Sequence, residues 1–166
     1  INNVIGYLDD TDSLTDGRRS WAVNNTNPTD TLVTLGSNDA VNANGSGFIM
    51  YCWHSISGYS SIGSYPGNSS TTGPSVAVGF RPSWVLIKRI SDAGSWYIFD
   101  AVRSGSTTTF PKALYSNQNN QEYDTTGTAY DGMHITTTAT TFEVDFSSAW
   151  THLNASGSTY FYMAFK

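Results

Sequence analysis

Trp84-Val85-Leu86-Ile87-Lys88-Arg89 runs into Asp92-Ala93-Gly94 and returns as Trp96-Tyr97-Ile98-Phe99-Asp100. Two runs of β-branched and aromatic residues with turn chemistry between them predict a β-hairpin. Arg81-Pro82 launches the first run, and just before it Val76-Ala77-Val78 reads as a short strand ending at Gly79. Further out, Met133 to Thr138 and Thr141 to Phe146 predict a second hairpin. Its return strand alternates Phe142, Val144 and Phe146 with Glu143 and Asp145, the period of a half-exposed strand. Ala113-Leu114-Tyr115, Leu32-Val33-Thr34-Leu35, Phe48 to His54 and Tyr160 to Phe165 supply four more short strands. No window carries apolar residues at helical spacing alongside Glu, Lys, Leu and Ala. Many short strands with this punctuation predict an all-β chain, an antiparallel β-sandwich or jelly-roll-like fold.

The composition agrees. Only 13% of residues are charged while 14% are aromatic. Aromatic and β-branched side chains suit a pleated, half-buried surface, and so many rings argue against disorder. A net charge of −5 speaks against a nucleic-acid partner, which needs clustered Lys and Arg. No apolar stretch has the length of a membrane span, and no signal-peptide pattern is present. The chain begins at Ile1 rather than Met, which suggests processing or a piece of something larger. One cysteine, Cys52, leaves no intrachain disulfide, so the core or partner chains must hold the fold.

Two segments echo one another. Asn42-Ala43-Asn44-Gly45-Ser46-Gly47-Phe48-Ile49-Met50-Tyr51-Cys52-Trp53 returns without a gap as Asn154-Ala155-Ser156-Gly157-Ser158-Thr159-Tyr160-Phe161-Tyr162-Met163-Ala164-Phe165. Each reads as a polar turn feeding a strand buried on both faces. The offset from Asn42 to Asn154 exceeds that of solenoid repeats, so it suggests duplication of a whole small domain. Residues 1–53 are then the tail of a preceding unit, a partial repeat, and 54–166 a complete sandwich. Chance likeness between two turn-and-strand segments is the plain alternative.

Candidate chemistry is sparse. Asp9, Asp10, Asp12 and Asp16 form an acidic patch with the oxygen ligands a hard cation wants. Leu14 falls where an EF-hand ligand should be, so a solvated acidic loop is the preferred reading and no metal or other cofactor is expected. Cys52 and His54 share a strand face, but a cysteine in an apolar run without a cationic neighbour is normally inert. Glu143 and Asp145 would stand roughly 7 Å apart on one strand face. With Asp100 they could supply the carboxylates of a glycoside hydrolase. Alternating acids on an exposed face are also ordinary protection against aggregation. The expectation is therefore no enzyme.

Binding is better supported, because Tyr and Trp rings stack on sugars and fill protein interfaces. The stretch Gly58 to Asn68, rich in Tyr, Ser and Gly, has the composition of an adaptable contact loop. Tyr59, Tyr65, Trp53 and Trp96 are the candidate contacts to a glycan or protein partner; the plain alternative is that most rings are core, and for Trp84 and Trp96 that is the preferred reading.

Beyond these readings, a set of residues is shared with a known family. It comprises Gly63-Ser64-Tyr65-x-Gly67-Asn68, Gly73-Pro74, Gly79-Phe80-x-Pro82-x-x-Val85-x-Ile87-Lys88 and Trp96-x-x-Phe99-Asp100-x-x-Arg103. Leu114-x-Ser116-Asn117 and Asn154-x-Ser156-Gly157-x-Thr159-Tyr160-x-Tyr162-x-Ala164-Phe165 complete it. Over about residues 42–166 the chain resembles a domain found, often in tandem, in virion proteins of tailed and particularly marine bacteriophages. The Ser/Thr-rich insertion from Ser104 to Phe110 departs from it, as does the opening stretch from Ile1 to Asp30. The resemblance implies a β-sandwich module on the particle exterior, of tail-fibre or adhesin type, with capsid decoration or head fibre as the alternative. Expected partners are further copies of the chain, as a trimer or hexamer, other virion proteins and a host surface glycan. The family carries no established catalytic residues.

Overall fold

The computed structural model describes residues 7–13, 26–126, 132–145 and 152–166. Phe146 of the second predicted hairpin and Asp16 of the acidic patch lie outside them. The chain divides into two units, one holding the described residues 26–53 and the other Tyr7–Ser13 with the described part of His54–Lys166. Tyr7–Ser13 thus groups with the later unit, although it lies in the segment expected to precede it.

In the first unit the only regular element among the described residues is α1 (Asp39–Asn42), capped by the Asn38 side chain, which accepts from the Ala40 amide. The strands expected at Leu32–Leu35 and Phe48–His54 are not formed. Residues 44–53 run exposed, with Ile49 at 82% and Tyr51 at 72% of full accessibility. A strand is stable only when its backbone groups and apolar side chains find partners, and no described segment pairs with this one.

The second unit is an all-β sandwich of two antiparallel sheets. Its strands are β1 (Ser60–Pro66), β2 (Thr72–Ala77), β3 (Trp84–Arg89), β4 (Trp96–Asp100), β5 (Thr109–Phe110), β6 (Lys112–Tyr115), β7 (Tyr123–Asp124), β8 (His134–Thr137), β9 (Thr141–Asp145) and β10 (Thr159–Phe165). One sheet has the order β1-β10-β3-β4-β6-β7 and the other β2-β9-β8-β5. The predicted hairpins form as β3–β4, with Trp84 opposite Asp100 and Lys88 opposite Trp96, and as β8–β9, with Ile135 opposite Val144.

The core lies between the sheets. Val85, Ile87, Tyr97, Phe99, Tyr160, Tyr162 and Ala164 face Val76, Phe110, Ile135, Phe142 and Val144. Each large side chain buried there contributes about 1.5–3 kcal/mol relative to leaving it in water. β9 shows the alternation its sequence announced: Phe142 and Val144 are fully buried, whereas Thr141, Glu143 and Asp145 are half-exposed.

β3 departs from alternation, because Val85 through Lys88 are all buried. Its outer face is covered by the Tyr7–Ser13 strap. Lys88 Nζ donates to the Thr11 carbonyl (3.0 Å) and to that of Gly94, Trp96 Nε1 donates to Tyr7 O (2.9 Å), and Ser116 Oγ donates to Leu8 O (2.9 Å).

Besides the short strands β5 and β7, two elements escape a reading of the sequence alone. β1 falls within the stretch expected as a contact loop, but it is an edge strand paired residue for residue with β10, from Ser60–Phe165 to Pro66–Thr159. Gly63 leaves room there for the Tyr162 ring, since a Cβ at that position would come 2.9 Å from the Tyr162 hydroxyl and would have to displace it. The second is α2 (Ala101–Ser104), a single turn capped by Asp100, whose carboxylate accepts from the Arg103 amide.

Candidate functional site

The proposed contact residues separate into two kinds. Tyr59 is exposed, packed edge-on against the Phe165 ring at 6.4 Å between centroids. Trp53, in the other unit, is also exposed and stacks with Tyr51 at 5.9 Å. Tyr65 corrects the expectation of a contact residue and Trp96 takes its core alternative, the two being only 3% and 7% accessible. The Tyr65 ring stacks on Tyr160 at 5.1 Å and its hydroxyl donates to the Leu153 carbonyl at 2.9 Å. Burial pushes that phenol well above its ordinary pKa, with Tyr160 adding to the effect. Trp96 meets Phe161 edge-on and spends its N–H on the strap. An aromatic side chain that faces the partner sheet or a covering strap presents no ring to a ligand.

The acidic patch also has a structural task. The backbone carbonyls of the strap receive Lys88, Trp96 and Ser116, and the Asp12 amide donates to Asp10 Oδ1 at 3.2 Å. Burial lowers the pKa of Lys88, while the charges of Asp10 and Asp12 act in the opposite direction. Asp10 and Asp12 of the patch thus partly offset the cost of burying that ammonium group. Among the described residues no three His, Cys, Asp or Glu side chains come together as a metal-binding group.

Glu143 and Asp145 do share the outer face of the four-stranded sheet. Asp145 Oδ2 accepts from Thr136 Oγ1 at 2.8 Å. Partial burial, then the neighbouring Asp145 charge, raise the Glu143 pKa. Asp100 belongs to the other sheet, where it caps α2 and pairs with Arg103 Nε. Arg103 also holds Glu122 Oε1 at 2.6 Å and donates to Ile98 O at 2.9 Å. Asp100 is thus committed to an ion-pair network that fastens α2 and the loop before β7 to the end of β4. Cys52, expected in a buried run, is exposed.

A feature missed from sequence is a groove of about 440 Å³ lined by Tyr115, Asn120, Gln121, Glu122, Tyr123 and Asp124. Half-exposed rings beside amides and carboxylates can stack on a sugar face and hydrogen-bond its hydroxyls. The amide-rich run Asn117-Gln118-Asn119-Asn120-Gln121 was its only sequence signal. Gln118 and Asn117 anchor that loop on Ser95 Oγ at 2.9 and 3.4 Å.

No curated protein and no solved structure matches the chain. A family model does, over residues 2–166, nearly the whole length. The chain belongs to the family DUF7483, described as a domain of unknown function.

Proposed function

We propose that this chain is a structural and attachment module of a tailed-phage virion protein, displayed on the particle exterior and built for contact rather than catalysis. The observation that supports it best is the distribution of side chains. Of the three carboxylates with candidate chemistry, Asp100 is tied to Arg103 and belongs to the other sheet from Glu143 and Asp145, whereas Tyr51, Trp53 and Tyr59 stand exposed. A sandwich locked by such pairs is a rigid carrier, and exposed rings are the residues most used at protein and glycan interfaces. The Tyr115–Asp124 groove adds a second surface of matching chemistry.

Antibodies raised against the chain, applied to intact particles of the phage that encodes it and viewed by electron microscopy, test the reading. Label on the tail is expected. Label covering the capsid would select a decoration protein instead. Particles that carry no label, with the chain found only in lysate, would overturn a virion role.

A further inference from the structure

Most asparagine side chains near a turn or cap are tied down. Asn42 Nδ2 donates to Gly36 O at 3.0 Å, and Asn38 Oδ1 caps α1 through the Ala40 amide. Asn154 bonds to Asn68, and Asn117 accepts from the Trp96 amide. Asn44 is different. It is exposed, and among the described residues no hydrogen bond reaches its side chain or the Gly45 amide that follows it.

The local backbone puts this pair in the open. Ser46 N donates to Ala43 O at 3.2 Å, Gly45 has φ 76° and Asn44 is not at positive φ. Ala43–Ser46 is therefore a type II turn with Asn44 and Gly45 at its centre, and the peptide between them takes no part in the turn bond. Gly45 has no side chain to shield its nitrogen, and a Cβ built there would meet nothing within 4 Å. The matching turn Ala155–Ser158 closes from Ser158 N to Ala155 O at 3.1 Å, with Gly157 at φ 78°, but it carries Ser156 in place of Asn44. At Asn154 and Asn68 the following amides are engaged as well. Ala155 N donates to the Tyr160 hydroxyl at 2.8 Å, and Ser69 N to Asn154 O at 2.8 Å.

We propose that Asn44 is a modification site, deamidating spontaneously to aspartate and isoaspartate through a succinimide formed with Gly45. The Gly45 nitrogen gives its proton to hydroxide and attacks Asn44 Cγ. The N–Cγ bond forms, the Cγ–Nδ2 bond breaks, and Nδ2 takes a proton from water and leaves as ammonia, which regenerates the hydroxide. A second water then opens the ring. Attack at Cγ breaks the new bond and gives aspartate; attack at the main-chain carbonyl breaks the original peptide bond and gives isoaspartate. The sum is one water consumed and one ammonia released, with nothing oxidised or reduced. Either product adds a negative charge. Isoaspartate also inserts a carbon into the main chain, which the Ser46–Ala43 bond cannot span unchanged. Both changes fall just ahead of the exposed rings of Tyr51 and Trp53.

Peptide mapping by mass spectrometry, after incubating the full chain in warm, mildly alkaline buffer, tests this; a digest at zero time corrects for conversion during digestion. Asn44 is expected to convert within about 3-fold of its rate in the same chain unfolded in urea, as an amide outside any cooperative unit does. A folded rate ~10-fold or more below the unfolded one would show that the turn protects Asn44 and would overturn the proposal. A second variant separates structure from dipeptide chemistry. Ala155→Gly gives Asn154 the same glycine neighbour within the buried network, and urea unfolding checks that this variant is folded. Its Asn154 should convert at least ~100-fold more slowly than Asn44 in the same molecule. Equal rates at the two positions would mean that tied and free amides react alike, and the assignment of Asn44 from its surroundings would be wrong.

Discussion

Residues 42–53 and 154–165 share a pattern and a turn, yet one ends in open chain and the other in the middle of a six-stranded sheet. The turn forms twice because its causes are local: a glycine free to take positive φ and one backbone bond across three residues. The strand forms once because its causes are distant. β10 draws its hydrogen bonds from β1 and β3 and its cover from β9 and Trp96, all far from it in sequence. Asn154 shows how far the surroundings extend the difference. It is fully buried, accepts from the Asn68 amide at 2.7 Å, donates to Asn68 Oδ1 and Ser70 O, and receives the Ser69 amide on its own carbonyl. The Asn42 side chain donates to Gly36 O at 3.0 Å from an exposed position.

The largest expected contrast is in thiol accessibility. Cys52 should react with a thiol reagent as fast as in the unfolded chain. The thiol introduced by Ala164→Cys, in a Cys52→Ala background, should be protected by ~10³-fold or more, as burial in a core that opens at a cost of about 4 kcal/mol requires. Similar rates at the two positions would break the comparison. Next in size, Tyr160→Ala should cost about 3–5 kcal/mol in urea unfolding, while Phe48→Ala should stay within about 0.5 kcal/mol.

Asn154→Ala should cost about 2–3 kcal/mol, since it strands buried backbone partners, against less than about 1 kcal/mol for Asn42→Ala. The turn sharpens the comparison from the other side. Gly45→Ala and Gly157→Ala should each cost about 1 kcal/mol locally, read as faster amide exchange at Ser46 and Ser158. An effect at Ser158 alone would mean that the two turns are not equivalent.

The smallest effect concerns the sheet that neither copy enters. The folded protein raises the Glu143 pKa, so it holds that proton to higher pH than the unfolded chain does. Stability from this group is therefore present at low pH and falls as pH rises through the folded value. Glu143→Gln should raise the urea midpoint slightly at pH 7 and give no gain below about pH 4. A gain that persists at pH 3 would show that the ionised carboxyl is not the cause.

The hairpins β3–β4 and β8–β9 were legible because turn residues and flanking β-formers lie within one short window. β1 was not, because Ser60-Ser61-Ile62-Gly63-Ser64-Tyr65 carries little apolar alternation of its own; it is a strand because β10 offers an edge and Gly63 clears the Tyr162 ring. The candidate site shows the same divide. That Tyr59 and Trp53 are rings able to make contacts was plain, but that Tyr65 and Trp96 are spent on Leu153 and on the strap was not. Which side of a sheet is covered depends here on a segment as distant in sequence as Tyr7 is from Trp96.

By itself the amino-acid order determined the all-β class, the hairpins, the two matching glycine turns and the alternation that makes β9 one-sided. Each rests on steric and solvation preferences acting over a few residues. Tertiary structure alone decided that Lys88 is buried under an acidic strap, that Asp100 serves Arg103, and that one aromatic run is core while its double is exposed. These outcomes depend on which segments supply hydrogen-bond partners and exclude water, and such partners are found only once the chain has folded.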